Sequence, residues 1–118
     1  MGAESGRLMA VSIGKQIATN EIHRFQTPVA TDRRGRRCWD LPKIIDEISI
    51  ALSKAGKTGT YLGLAVDTWG LDFGLIDHDG KVIDLPVSHR DHRTDGMLEK
   101  AFSLVGRDRL HRSEEAHV

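Results

Sequence analysis

Residues 61–73 read Tyr-Leu-Gly-Leu-Ala-Val-Asp-Thr-Trp-Gly-Leu-Asp-Phe, and they decide the fold that we predict for this chain. The first six form a nearly continuous apolar run, which is typical of a strand covered on both faces at the centre of an α/β sheet. Ligands collect where such strands end, so Asp67, Trp69 and Gly70 are predicted to lie at a binding site. An aspartate that caps a turn beside a core tryptophan is the structural alternative.

The residues upstream predict a three-stranded antiparallel meander. Residues 8–13 have the period-two pattern of a strand, residues 14–16 form a natural turn, and residues 17–25 can return alongside. A polar tract at 31–36 turns the chain again before the third strand at 37–39.

Two main helices are predicted, one before and one after the apolar run. The first begins after Asp40 at its N-cap, has Pro42 in its first turn and repeats apolar residues at helical spacing. Gly56 is expected to end it in a left-handed conformation. The second begins near Met97 and is closed by Gly106.

A β-hairpin is predicted between the apolar run and the second helix. Residues 73–76 can pair with residues 82–85 across the Asp-Gly turn at 79–80. Together with the meander and the central strand, this predicts an α/β fold with a mixed sheet.

Length and charge narrow the class of protein. At 118 residues the chain is long enough for one modest domain. Its 17 basic and 17 acidic side chains balance, so no global field steers it to nucleic acid or anionic lipid. Cys38 is the only cysteine, which excludes an internal disulfide. Since no apolar run approaches the roughly 20 residues that span a bilayer, we expect a cytoplasmic protein without a membrane or nucleic-acid partner.

The first residues carry a candidate phosphate site. Gly2 and Gly6 lie four positions apart, so backbone N–H groups between them can converge on an anion. Ser5 and Arg7 can add a hydroxyl and a cation. The segment is not a Walker loop, because the Gly-Lys-Ser/Thr ending is absent, and a flexible terminus is the alternative.

Residues 89–95, His-Arg-Asp-His-Arg-Thr-Asp, are dense in ionisable groups. Arg90, Asp91 and Arg93 can hydrogen-bond the hydroxyls of a polyol, and a solvated ion-pair network is an equally weighted alternative. The two histidines have no third ligand at a supporting spacing, so no metal site is predicted.

Taken in order, these segments resemble the amino-terminal domain of the FGGY carbohydrate kinases, and within that family the branch that acts on L-rhamnulose. The residues that carry the resemblance are 2–7, 21–25, 39–40, 63–73, 85–87, 90–91 and 93–94. The resemblance covers residues 1–113 as one domain, and the tail at 114–118 does not continue it.

The resemblance implies an actin-like, ribonuclease-H-like ATPase fold with ATP and sugar between two domains. It implies transfer of the γ-phosphoryl group of ATP, with Mg²⁺, to L-rhamnulose or a similar ketose in rhamnose breakdown. The residues that it assigns to nucleotide phosphate are Ala3, Glu4, Ser5, Gly6 and Arg7. The residue that it assigns to the sugar is Gly70, and our further sugar-side candidates are Asp67, Trp69, Asp72, Arg90 and Asp91.

Parts of the family pattern have no counterpart within the 118 residues. In the family a strand ending in a metal-positioning aspartate precedes the phosphate loop, and the catalytic base and nucleotide-binding domain lie beyond residue 118. We therefore expect no catalytic residue in the chain, and a truncated kinase that is inactive alone. One alternative is a non-enzymatic binding or assembly module that uses an exposed sheet edge. Another is a two-metal nuclease built on Asp40, Asp67 and Asp72.

Overall fold

The computed structural model of the protein describes residues 1–107 and 109. Its class is α/β, as predicted. In chain order the elements are β1 (Ser5–Ile13), β2 (Ile17–Gln26), β3 (Val29–Thr31), β4 (Arg37–Trp39), α1 (Leu41–Gly56), a 3₁₀ turn (His92–Thr94) and α2 (Met97–Val105). The predicted end of the domain at 113 and the tail at 114–118 lie outside the described residues.

The first two predicted strands form an antiparallel hairpin. β1 pairs with β2 from Ser5 opposite Gln26 to Ile13 opposite Ile17, with a register shift after Leu8. Such a shift leaves one residue unpaired and increases the local twist. The hairpin therefore follows the local period-two pattern of the sequence.

The third predicted strand, at 37–39, is present as β4, but the predicted three-stranded meander is wrong. β4 does not extend the β1–β2 sheet; it pairs with β3 in a second two-stranded sheet, with Ala30 opposite Cys38. The reason is local, because the Asp32 carboxylate accepts hydrogen bonds from the backbone N–H groups of Arg34 and Arg36, both at 2.9 Å. This Asx turn returns the chain directly onto β3.

The predicted central strand at 61–66 is also wrong, and with it the mixed sheet. These residues adopt no regular strand, and the side chains of Leu62 and Val66 are 108% and 73% exposed. An apolar strand of this kind needs hydrogen-bonding neighbours at its edges and cover on its faces. Neither two-stranded sheet of the described chain provides them.

Helix α1 begins as predicted and ends differently. Asp40 caps its N-terminus by accepting from the Lys43 backbone N–H at 3.3 Å, with a proline in the first turn. Gly56 is the last helical residue, but it is not left-handed, and Lys57 follows at φ −86°. The last turn needs no left-handed residue, because the Lys57 N–H and the Thr58 hydroxyl bind the final carbonyl oxygens.

Two polar contacts of His23 join β2 to α1. The His23 Nε2 atom lies 2.7 Å from Glu47 Oε2, and its Nδ1 atom lies 2.9 Å from Lys54 Nζ. An ammonium group only donates, so Nδ1 accepts and Nε2 carries the hydrogen given to Glu47. The buried apolar residues of α1 are Ile44, Ala51 and Ala55.

The predicted second helix and hairpin are present in reduced form. Gly106 closes α2 at φ +80°, as predicted, although none of the helix residues is buried. The hairpin consists of one bridge between Ile76 and Val82, with Gly80 at φ +77° in its turn. No helix in the described part of the chain is long and apolar enough to cross a membrane.

The best-buried residues lie on β4 and on the turn that packs against it. Cys38, Trp39 and Ser88 are 0%, 2% and 0% exposed. Burial is the main cause that raises the pKa of the Cys38 thiol, so this group stays neutral and unreactive. Cys38 also bridges to Val87, which fixes residues 86–88 beside the small sheet.

Candidate functional site

The Asp72 carboxylate brings together three segments that are distant in sequence. Its Oδ2 atom accepts hydrogen bonds from the indole N–H groups of Trp39 and Trp69, both at 2.7 Å. The His89 backbone N–H donates to Oδ1 at 2.7 Å, and the His89 Nδ1 atom lies 2.8 Å from Oδ2. Oδ2 therefore has three protein donors for its two lone-pair sites, while Oδ1 has one donor. We call these four residues the Asp72 cluster.

Asp72 is held in its charged form. Burial raises the pKa of its carboxyl, but the hydrogen bonds from His89, Trp69 and Trp39 outweigh burial and bring the pKa below its ordinary value. An ionised carboxylate only accepts, so His89 Nδ1 carries the hydrogen and, in the neutral ring, Nε2 is an acceptor. The His89 side chain is 30% exposed, so water or a ligand can reach this ring.

The two indole rings of the cluster also contact each other. Trp39 and Trp69 meet edge to face, with ring centroids 5.1 Å apart and an interplanar angle of 62°. Contacts of this geometry stabilise by about 0.5–1.5 kcal/mol beyond the burial of area. Trp39 is buried and Trp69 is half-buried, so only Trp69 offers ring surface to a ligand.

Asp91 anchors the turn that carries His89. Its carboxylate accepts from the backbone N–H groups of Arg37 at 2.7 Å and Arg93 at 3.0 Å. These two hydrogen bonds are the main reason that the pKa of Asp91 lies below its ordinary value. The Ser88 N–H donates to the Arg37 carbonyl at 2.9 Å. Asp91 therefore acts inside the fold, with its carboxylate turned to protein donors.

Two exposed contacts join the start of the chain to predicted sugar-side residues. The Arg90 Nη2 atom lies 3.3 Å from Glu4 Oε1, and the Met1 ammonium donates to the carbonyl oxygen of Asp67. An exposed ion pair such as Arg90–Glu4 stabilises by about 0–1 kcal/mol. It nevertheless places the predicted nucleotide residue Glu4 next to the predicted sugar residue Arg90.

Most of the predicted phosphate loop lies in a strand. Ser5, Gly6 and Arg7 begin β1, and the Gly2 N–H donates to the Ser5 carbonyl at 2.9 Å. A Cβ atom on Gly6 would lie 2.2 Å from the ring of Phe25, so glycine is required here for packing. The nucleotide role of residues 3–7 stays a prediction.

Gly70 and Asp67 lie at the surface without a competing structural role. No atom lies within 4 Å of a Cβ built on Gly70, and both residues are exposed. Among the described residues, the Asp67 carboxylate makes neither a hydrogen bond nor an ion pair. Their sugar role stays a prediction, and packing gives no other reason for the glycine.

The described residues, 1–107 and 109, form no metal-binding cluster. No three His, Cys, Asp or Glu side chains in this part of the chain are grouped to hold a metal ion. Asp40 caps α1 and pairs with Lys43 at 2.6 Å, while the Asp72 carboxylate accepts four hydrogen bonds from protein donors. The nuclease alternative therefore has two of its three carboxylates already occupied.

Sequence reasoning missed Trp39 and His89 as members of the site. A buried tryptophan needs a partner for its indole N–H, and Asp72 lies three residues after Trp69. The two tryptophans each need an acceptor for the indole N–H, and Asp72 is an aspartate close to one of them. This pattern in the sequence could have predicted the Asp72 cluster.

Comparison with known proteins gives the class. No protein-family model matches the chain. A rhamnulokinase from Mannheimia succiniciproducens is 37% identical over 116 residues, which cover 95% of this chain and 24% of that relative. Rhamnulokinases from Halalkalibacterium halodurans and Oceanobacillus iheyensis are 37% and 38% identical, over 94% of this chain and 24% of each relative. The chain spans about a quarter of the length of the curated relatives that it matches.

The class of protein that this chain resembles is the carbohydrate kinases. Within that class, the resemblance is to the amino-terminal part of rhamnulokinase, over 95% of the chain. The resemblance stated from residues 2–7, 63–73 and 90–94 is thus confirmed.

Proposed function

We propose that this chain provides part of the sugar- and nucleotide-binding surface of a rhamnulokinase-like kinase with a ribonuclease-H-like, actin-like domain. The complete enzyme would transfer the γ-phosphoryl group of ATP, with Mg²⁺, to L-rhamnulose or a similar ketose. The observation that carries the proposal is 37% identity to a rhamnulokinase over 116 residues. The single buried thiol, Cys38, supports a cytoplasmic location.

On the acceptor side, we assign contact with the sugar to exposed or half-buried groups. Gly70 allows close approach to the backbone, the Trp69 ring can lie against a sugar face, and Asp67 and Arg90 can bind hydroxyls. Asp72 and Asp91 support this side from within the fold, because both side chains are nearly buried and their carboxylates accept hydrogen bonds from protein donors. On the nucleotide side, residues 3–7 would meet the phosphates of ATP, with the exposed Arg7 as the nearest cation.

Sugar binding by the purified 118-residue chain tests the proposal. Titration with L-rhamnulose, followed by the ¹⁵N–¹H signals of the backbone, is expected to shift the signals of residues 67–72 saturably. Gly70→Val is expected to abolish these shifts, because the new side chain fills the space assigned to the sugar. Gly59→Val is the matched control, because Gly59 is also exposed with no atom within 4 Å of its Cβ. Equal shifts in both variants would contradict the assignment.

The chain alone is proposed not to catalyse phosphoryl transfer. The reaction requires the acceptor, the metal and a base to be positioned together, and the described residues group no three metal-binding side chains. Purified chain with MgATP and L-rhamnulose is expected to form no ADP above background. ADP formation that depends on L-rhamnulose and is lost in Asp67→Ala would overturn this expectation.

A binding or assembly module is the second candidate, and one observation favours it. The radius of gyration is 19.0 Å, compared with about 13 Å for a compact domain of 100 residues. Residues 61–66 expose most of their apolar side chains, including Leu64 at 63%. Sedimentation velocity distinguishes the candidates, because a monomer at all accessible concentrations without a bound partner would contradict the assembly role.

A further inference from the structure

The Asp72 cluster connects three segments, and its carboxylate is a contact that all three share. Trp39 lies at the end of β4, Trp69 lies beside Gly70, and His89 lies in the turn anchored by Asp91. All four hydrogen bonds have lengths of 2.7–2.8 Å, within the range for bonds to a charged acceptor. The link is therefore polar and depends on the charge of Asp72.

We propose that Asp72 is the positioning residue of the acceptor site: its carboxylate holds Trp69 and His89 against Trp39 and so fixes the segment that carries Gly70. The proposal rests on the proposed function, because the sugar is assigned to Gly70 there. It changes the role of Asp72 from a sugar contact to a group that acts through Trp69.

Burial separates a positioning role from direct contact. The Asp72 side chain is 6% exposed, and its Oδ2 atom, which has three protein donors, keeps no lone-pair site for a sugar hydroxyl. Gly70 shows the reverse, because it is exposed and touches nothing within 4 Å of its Cβ position. Its neighbour Trp69 is held by the hydrogen bond to Asp72 and by the edge-to-face contact with Trp39, so Trp69 tethers the segment around Gly70.

The same carboxylate also orients His89. With Nδ1–H donated to Asp72, Nε2 remains an acceptor on a ring that is 30% exposed. The ring centroid of His89 lies 6.2 Å from that of Trp39, so the imidazole is held beside the indole pair. Loss of the Asp72 charge would release both the ring of Trp69 and this imidazole.

The chain has two tryptophans, and both donate to Asp72. The indole ¹⁵N–¹H spectrum of the 118-residue chain therefore reports on the cluster alone. Asp72→Asn is expected to shift both indole signals and to speed their hydrogen exchange at least tenfold, because an amide presents one acceptor oxygen. Asp79→Asn, at a carboxylate whose side chain is 75% exposed, is the matched control and should leave both signals in place. Unchanged indole signals in Asp72→Asn would overturn the proposal.

A second readout uses the sugar. In the wild-type chain L-rhamnulose should shift the Gly70 amide, and in Asp72→Asn its dissociation constant should rise at least tenfold with helix content retained. Equal affinity in the two chains would overturn the positioning role. If the wild-type chain binds no L-rhamnulose, the proposed acceptor function fails, while the indole signals still decide whether Asp72 holds the two segments together.

Trp69→Phe covers the case in which Asp72→Asn does not fold. Phenylalanine keeps an aromatic ring next to Trp39 and removes one donor to Asp72. The heteronuclear ¹⁵N–¹H nuclear Overhauser effect of the Gly70 amide, which reports backbone motion, is expected to fall in this variant, with the circular dichroism of the helices unchanged. A value equal to that of the wild-type chain would show that the tether does not fix Gly70 and would overturn the proposal.

Discussion

Residues 61–66 and residues 69–72 are near neighbours in sequence, and the structure holds them in opposite ways. The first segment is apolar, lies outside any strand and exposes Leu62 and Val66. The second contributes Trp69 and Asp72 to the Asp72 cluster, which reaches Trp39 on β4 and His89. A polar segment with a specific partner is thus fixed by a few hydrogen bonds. An apolar strand needs a whole sheet around it.

Among the substitutions that test this comparison, removal of the Asp72 carboxylate should lower the free energy of unfolding the most. Asp72→Ala leaves two indole N–H groups and one backbone N–H without an acceptor, at a cost of about 1–3 kcal/mol for each buried donor. We expect the free energy of unfolding in urea to fall by at least about 3 kcal/mol. Asp79→Ala, at a carboxylate with a 75% exposed side chain, is the control. A loss below about 1 kcal/mol for Asp72→Ala would contradict a cluster that holds the fold.

Acid should remove part of the same stabilisation. The pKa values of Asp72 and Asp91 are lowered in the folded chain, so the unfolded chain binds more protons at acidic pH. Their stabilising contribution is therefore complete above the unfolded value of about 3.9 and is lost as pH falls through the folded values. Urea unfolding at a series of pH values should show stability that is flat near neutrality and falls in acid. A smaller fall is expected in Asp72→Asn, and an identical fall would exclude Asp72 as a cause.

Substitution of glycine by alanine tests whether the backbone at a given position is closely packed or open to solvent. Gly6→Ala places a Cβ atom 2.2 Å from the Phe25 ring, and overpacking of this kind costs about 1–3 kcal/mol. Gly63→Ala, in the exposed segment, meets no atom within 4 Å. We expect thermal unfolding to show a clear destabilisation for the first variant and none for the second. Equal melting temperatures would mean that β1 and β2 are no more tightly packed than residues 61–66.

The smallest effect is expected in the exposed apolar segment itself. Leu62→Ser changes a side chain that is 108% exposed, so the free energy of unfolding should stay within about 0.5 kcal/mol of wild type. Solubility should rise, because an exposed apolar side chain is removed. Ile44→Ala is the buried counterpart in α1, where the expected loss is about 2–5 kcal/mol. A large loss for Leu62→Ser would show that residues 61–66 are covered in solution.

The sequence allowed prediction of those elements whose causes are local. Asp40 and Pro42 determined the start of α1, Gly106 determined the end of α2, and the period-two pattern placed β1 and β2. Partners distant in sequence were not predictable in this way. The pairing of β4 with β3 depended on the turn at Asp32, and residues 61–66 lacked the neighbours that a central strand needs.

The candidate site likewise has parts that the local sequence predicted and parts that it did not. The residue types at 67–72 and 90–91 indicated a polar site, and the resemblance to carbohydrate kinases that they carried is confirmed. The convergence of Trp39, Trp69 and His89 on one carboxylate spans 50 positions of sequence from residue 39 to residue 89, and no local pattern encodes it. The sugar and nucleotide roles remain predictions.

Because Cys38 is buried, chemical labelling of its thiol can measure local opening of the fold. Cys38 lies on β4, is bridged to Val87 and is fully buried, and the chain has no other cysteine. An alkylating reagent can therefore reach sulfur only when β4 separates from its neighbours, and under slow-reaction conditions the labelling rate reports the population of that opened state. Each labelled chain gains the mass of one reagent, so mass spectrometry can follow the labelling rate. That rate measures how often the small sheet that contains Trp39 opens, without denaturant and without any substitution.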